Sequence, residues 1–210
     1  GGLSFQGFST SGGGPIWKFD PGYISTAITL SDGDLTATAT SSPGPYQTAL
    51  GTYEVMATEK LMFSLTVLTE SVGYVVGVGL EQDISTLNNY IGSDSYGTGV
   101  YSDGRVINSG GNIYEGLSVN FNYAGAVVDL CFDASTMQIW YGADGGDWNG
   151  DPAADPATNT NGMSIPGGLT AQYFAVCIGG FSSGSNIVMQ LQSNYSIPSG
   201  FTFWGPGTTV

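Results

Sequence analysis

The chain has 210 residues, 41% of them hydrophobic and 12% aromatic, but only 10% charged, with a formal net charge of −14 and no histidine. The apolar fraction suffices for one sizeable core, so wholesale disorder is excluded. The only cations are Lys18, Lys60 and Arg105. Three scattered cations cannot neutralise a nucleic-acid backbone or hold an anionic membrane surface. Without histidine there is no Ser-His-Asp or Cys-His triad and no His-ligated zinc site. No run reaches the ~18 apolar residues of a membrane-spanning helix.

Residues 1–15 are rich in Gly and Ser and read as an extended N-terminal arm. From residue 16 to 210 the pattern is that of one domain. Ile24–Leu30 and Leu35–Thr40 are β-favouring runs joined by Ser31-Asp32-Gly33-Asp34, where an Asp-Gly pair supplies the positive φ of a tight hairpin. Ser41–Pro45 reads as a turn. Thr52–Ala57, Lys60–Thr69 and Gly73–Leu80 follow as strand candidates. The third, GYVVGVGL, carries Gly at every second or third place, which predicts another backbone layer packed closely on it. The segment 81–89 has room for one short turn of helix. Gly99–Tyr101 and Arg105–Asn108 flank an Asp103-Gly104 turn, and Ala126–Asp133 with Thr136–Tyr141 form a further hairpin. Gly142–Gly168 is a long acidic loop. Tyr173–Gly179, Asn186–Gln192 and Gly200–Trp204 complete the series. Many short strands between turn signals describe an all-β, two-sheet antiparallel sandwich.

Cys131 and Cys177 sit in apolar strand-like runs. Two buried free thiols are the favoured reading, and a disulfide between facing strands is the other. Burial of both requires each face of their strands to be covered, because strict alternation turns the thiols away from their apolar neighbours.

Several segments, in order, resemble a SPRY (B30.2-like) domain of the concanavalin-A-like fold. They are Ile28–Ser31 with Leu35–Thr38, Gly51-Thr52-Tyr53-Glu54-Val55, Val76-Gly77-Val78-Gly79, Tyr101-Ser102-Asp103-Gly104-Arg105, Gly125–Asp133 and Thr136–Trp140. Gly146-Asp147-Trp148-Asn149-Gly150-Asp151-Pro152-Ala153, then Tyr173-Phe174-Ala175-Val176 and Ser199-Gly200-Phe201, resemble the form found in bacteriophage virion proteins. The resemblance implies recognition by loops at one end of the sandwich and no enzymatic activity. It also implies a place in a capsid, tail or fibre.

The acidic loop is the first candidate site. Asp147, Asn149 and Asp151 alternate as oxygen donors do around a calcium ion, yet Pro152 stands where an EF-hand has Gly and no Glu closes the loop. The competing reading is a set of Asx-turns beside Gly and Pro. Trp148 and Tyr141 bracket the same loop, and Tyr90, Tyr96 and Tyr101 crowd another. Exposed aromatics beside Asn and Asp grip sugars and proteins. The candidate binding residues are therefore Trp148, Asn149, Asp151, Tyr141 and Tyr101, with calcium as the one cofactor considered, at Asp147, Asn149 and Asp151. The loop is expected to be an ordered protrusion, Trp148 packed down and its Asp residues fanned outward.

Glycoside hydrolysis needs a pair of carboxylates flanking a sugar, and no Glu-x-Asp-x-x-Glu strand is present. The expectation is a non-catalytic virion structural protein, extracellular on the particle, serving assembly or host attachment. Its partners would be other virion proteins, further copies of itself, or a host-surface glycan or protein. An extracellular carbohydrate-binding, lectin-like module is the alternative. A cellular SPRY adaptor would be expected to carry abundant Lys and Arg.

Overall fold

Alternation of side chains along each strand, two residues per repeat, decides the layers of this protein. The computed structural model describes residues 18–40, 46–69, 75–81, 89–93, 97–108, 111–114, 117, 120–121, 123–165, 172–179, 186–191 and 196–203. The expected arm, the turn at 41–45, the helical turn over most of 81–89, and Tyr96 lie outside them. The strands are β1 (Phe19–Ile24), β2 (Ile28–Ser31), β3 (Thr36–Thr40), β4 (Gln47–Val55), β5 (Lys60–Val67), β6 (Val75–Glu81), β7 (Thr98–Tyr101) and β8 (Val106–Asn108). They continue as β9 (Gly111–Tyr114), β10 (Val127–Asp133), β11 (Gln138–Ala143), β12 (Met163–Ser164), β13 (Gln172–Gly179), β14 (Asn186–Leu191) and β15 (Thr202–Phe203).

One sheet has the order β1-β4-β13-β6-β7-β8-β9, the other β12-β11-β10-β5-β14-β3-β2. Every pairing along these two paths is antiparallel, and β15 adds to β5 in parallel, Thr202 opposite Leu61. The protein is an all-β two-sheet sandwich. Among the described residues the only helical pieces are two 3₁₀ turns, Trp148–Gly150 and Pro156–Thr158.

The main core lies between the sheets. Leu61, Phe63, Leu65 and Val67 of β5 and Val128, Leu130 and Phe132 of β10 face Val76, Val78 and Leu80 of β6 and Phe174 and Val176 of β13. Phe63 and Phe174 meet across it with ring centroids 4.2 Å apart. Burying each such side chain contributes about 1.5–3 kcal/mol.

The outer faces are covered as well. Leu50, Ile91, Tyr101, Ile107, Ala175 and Cys177 form a second cluster on the β6 sheet. Met62, Cys131, Trp140, Ala154, Phe201 and Phe203 form a third on the β5 sheet. Both thiols are buried and unpaired with each other. They sit in the clusters on opposite outer faces, so a disulfide between facing strands is ruled out.

The expected hairpin exists between β2 and β3, with φ of 54°, 70° and 70° at Asp32, Gly33 and Asp34. The sequence reading of Ile24–Leu30 as one strand is corrected. β1 ends at Ile24 and pairs with β4 of one sheet, whereas β2 belongs to the other. The crossing is made at Ser25, whose N–H donates to the Thr48 carbonyl at 2.9 Å and whose own carbonyl accepts from Ile28 N at 3.0 Å. Asp20-Pro21-Gly22 hid β1 in the sequence, since Pro breaks a strand pattern except at a sheet edge. β1 is such an edge. The short β9 also escaped notice.

Candidate functional site

The acidic loop lies flat across the outer face of the β5 sheet. Trp148 packs over Gly142 of β11, where a Cβ would come within 3.3 Å of the indole. Trp140, fully buried beneath the loop, donates its indole N–H to the Thr160 carbonyl at 2.9 Å. Gly162 lies against that indole so closely that a Cβ would approach it to 2.5 Å. Ala154 closes the same apolar cluster. Trp148 thus packs down as expected, but the loop is a cover and not a protrusion.

Its polar residues turn on the loop itself. Asn149, at φ 55°, accepts the Tyr141 N–H on Oδ1 at 2.9 Å and donates Nδ2 to the Asn161 carbonyl at 3.1 Å. Asp151 accepts from Ala153 N and from Asn161 Nδ2, both at 2.9 Å. Asp155 accepts from Ala157 N at 2.9 Å and from Thr158 Oγ1 at 3.0 Å. Asp144 takes the Val127 N–H at 2.9 Å and the Tyr123 hydroxyl. These are Asx-turns and clasps, the competing reading of the motif. Among the described residues no three His, Cys, Asp or Glu side chains are grouped to hold a metal ion. The oxygens of Asn149 and Asp151 that calcium would use already hold N–H donors, so the arrangement does not fit that ion. Asp147 is exposed and caps nothing with its side chain.

The five aromatic and polar candidates do not form one patch. Trp148, Asn149 and Asp151 are half-buried neighbours in the loop. Tyr141, adjacent in sequence, points into the main core and is fully buried. Tyr101 is fully buried in the cluster on the other sheet. Neither tyrosine can touch a partner directly.

Tyr101 instead organises a surface the sequence reading found only in part. The Gly-rich face of β6 and β7 admits the segment 89–93 as a further layer, as the glycine spacing predicts. Gly99 lies opposite Gly79, and a Cβ on Gly99 would stand 3.1 Å from Ile91. Tyr101 donates its hydroxyl to the Ile91 carbonyl at 2.6 Å, and Thr48 Oγ1 donates to the Asn89 carbonyl at 2.7 Å. Tyr46 then packs edge-on against both Tyr90, at 5.6 Å between centroids, and Tyr101, at 6.1 Å. Arg105 lies over the Tyr101 ring at 5.9 Å. Its guanidinium is fixed by Asp103 at 2.7 Å across the Asp-Gly turn and meets the Tyr46 hydroxyl. Tyr46, Tyr90 and Arg105 are all half-exposed. Burial pushes the Tyr46 hydroxyl up, with Arg105 acting against it. Burial, then the neighbouring Cys177 thiol, push Tyr101 well up, so both remain neutral hydrogen-bond donors. Tyr46 and Arg105 were missed because they stand far apart in the chain; the S-D-G-R turn was the one available signal.

All three cations are committed: Lys18 to Asp34 at 2.7 Å, Lys60 to Asp133 at 2.8 Å and Arg105 to Asp103. The excess of Asp and Glu has no counterpart, so the surface potential favours neutral or basic partners.

No protein-family model and no curated protein matches the sequence. Solved structures do match the fold. The SPRY domain of human HERC1 aligns with a TM-score of 0.63 at 15% identity, over 85% of this chain and 99% of that one. The chain has the SPRY fold. The TRIM65 PSpry domain aligns at 0.58 and 12% identity, over 86% of this chain and 93% of that chain. A human SPRY domain aligns at 0.56 and 14%, over 82% and 98%. In SPRY terms, the ordered segments noted in the sequence are the strands β2 to β4, β6, β10 and β11 and the turn after β7. At these identities the likeness is one of fold.

Proposed function

We propose that this SPRY sandwich is a non-catalytic binding domain that docks through the surface formed by Tyr46, Tyr90 and Arg105. The observation that carries this is the stacked assembly itself. Two half-exposed tyrosines and the chain's only arginine are held in place by a buried tyrosine and an Asp-Gly turn. Tyr and Arg are the residues most enriched where binding energy concentrates, and rigid aromatics lose little conformational freedom on association. The partner is a protein surface, neutral or basic to suit the net charge.

The setting we propose is a virion, as a capsid decoration, tail or fibre component. The support is the phage-like segment from Gly146 to Ala153 and the cation-poor, histidine-free composition. Partners would then be neighbouring virion proteins, further copies of this chain, or a host-surface molecule. Antibody against this chain, applied to native particles in negative stain, is expected to decorate one structural feature. An undecorated particle overturns the virion setting. The surface is tested separately by Tyr90→Ala and Arg105→Ala, which should each weaken partner capture about tenfold or more without changing the thermal midpoint greatly. Undiminished capture by both variants overturns the docking surface.

A further inference from the structure

A groove lies at the end of the sandwich opposite the tyrosine surface. β4 and β6 both run antiparallel to β13, and so in the same direction. The groove opens where β4 ends, whereas the Asp103-Gly104 turn stands where β6 begins. It is an open space of about 410 Å³ lined by Tyr53, Thr58, Glu59, Lys60, Leu61 and the Gly200–Thr202 approach to β15. That volume falls within the ~300–1,000 Å³ of small-molecule sites.

We propose that this groove binds a neutral, hydroxyl-rich ligand: a saccharide. The argument rests on the groove alone and is independent of the tyrosine surface. Two fixed polar groups line it. The Glu59 carboxylate accepts the Tyr53 hydroxyl on Oε1 and the Met56 N–H on Oε2, both at 2.8 Å. Each oxygen keeps a further lone pair. The Lys60 ammonium is pinned by Asp133 at 2.8 Å and lies 5.8 Å over the Phe201 ring. Asp133 is itself held through Oδ1 by Ser135 N at 2.9 Å and Ser135 Oγ at 2.6 Å. The ammonium has three N–H donors, and Asp133 takes one.

Charge then selects the ligand. Glu59 and Asp133 outweigh Lys60, and the whole chain carries −14, so anions are disfavoured. A purely cationic group offers no acceptor to the remaining Lys60 N–H donors. What remains is a neutral group that both donates to the Glu59 carboxylate and accepts from the Lys60 ammonium, two groups lining one groove. The several hydroxyls of a sugar do this. Thr58 and Thr202 add hydroxyls, while Tyr53 offers apolar surface to the C–H face of a ring.

The test is a titration of the ¹⁵N-labelled chain with lactose, maltose, cellobiose and chitobiose, against sialyllactose and sucrose octasulfate as anionic controls. At least one neutral sugar is expected to give saturable amide shifts confined to residues 58–61 and 200–202. Thr58→Trp, an exposed position, fills the groove without touching the core and should abolish them. Glu59→Gln should weaken binding about tenfold, the scale of one charge-assisted hydrogen bond. Three results each overturn the proposal: no neutral sugar shifts these amides, only the anionic sugars do, or the shifts persist unchanged in Thr58→Trp.

Discussion

The side chain of Asn149 takes the place of a missing strand beside Tyr141. β12 pairs with β11 only at Gln138 and Ile139, which leaves the Tyr141 N–H at an open edge. Asn149 Oδ1 accepts that N–H at 2.9 Å, and its Nδ2 reaches the Asn161 carbonyl on the far limb of the loop. A residue that reads in the sequence as a ligand for metal or partner is therefore an edge cap. Asn suits the position twice over, since it supplies both hydrogen bonds and tolerates φ of 55°.

Asn149→Ala is expected to lose both bonds and to strain the left-handed backbone. At about 1 kcal/mol per bond and 1–2 for the backbone, the loss is about 3–4 kcal/mol. Asn149→Gly should recover the backbone part and lose about 2. Urea midpoints of the two variants check this; equal midpoints would show that the left-handed geometry costs nothing here.

Gly162→Ala is expected to cost about 1–3 kcal/mol, because the methyl would enter the space of the Trp140 ring. Restoring space with Gly162→Ala/Trp140→Phe should return less than the full loss, since the Thr160 carbonyl then lacks its indole donor. A wild-type midpoint for Gly162→Ala would show that the loop is free to lift. Deletion of 147–161 should expose Trp140, Cys131 and Met62 and promote aggregation.

Cys131 and Cys177 should both resist thiol reagents in the native protein. Burial pushes the Cys131 thiol well up and the Cys177 thiol up to about 11, so neither offers thiolate or access at neutral pH. Labelling is expected at the rate of unfolding, with both thiols reacting together. Fast labelling of one alone would show that its outer cover opens independently.

Stability should depend on pH at both limits, through different residues. Burial tends to raise the Asp133 carboxyl, but bonds from Lys60 and Ser135 hold it below its usual value. Its contribution is present above about pH 4 and is lost as pH falls through the folded value. Asp133→Asn should flatten that acid limb. Tyr53 moves the other way, pushed up to about 12 by burial and then by Glu59. Its contribution is full below about pH 10 and is lost as pH rises towards 12. Phenolate absorbance against pH, compared with Tyr53→Phe, reads this directly; a difference spectrum titrating near 10 would contradict it.

The sandwich was legible because its signals are local. Alternation, Asp-Gly turns and the apolar runs around Leu61–Val67 and Val127–Asp133 act over a few residues, and so did the glycine spacing that anticipated a layer on β6 and β7. The two buried thiols were legible for the same reason, once both faces of their strands had to be covered. What the local pattern could not decide was which sheet a strand joins, as at Ser25, where one β-rich run divides between two sheets. Nor could it decide whether a polar side chain faces water or its own backbone. Asn149 and Asp151 have the same composition in either case, and only the position of Tyr141 and Asn161 turns them inward. Tyr46 and Arg105 meet because β4 and β8 share a sheet, a relation set by long-range pairing that no sequence window contains.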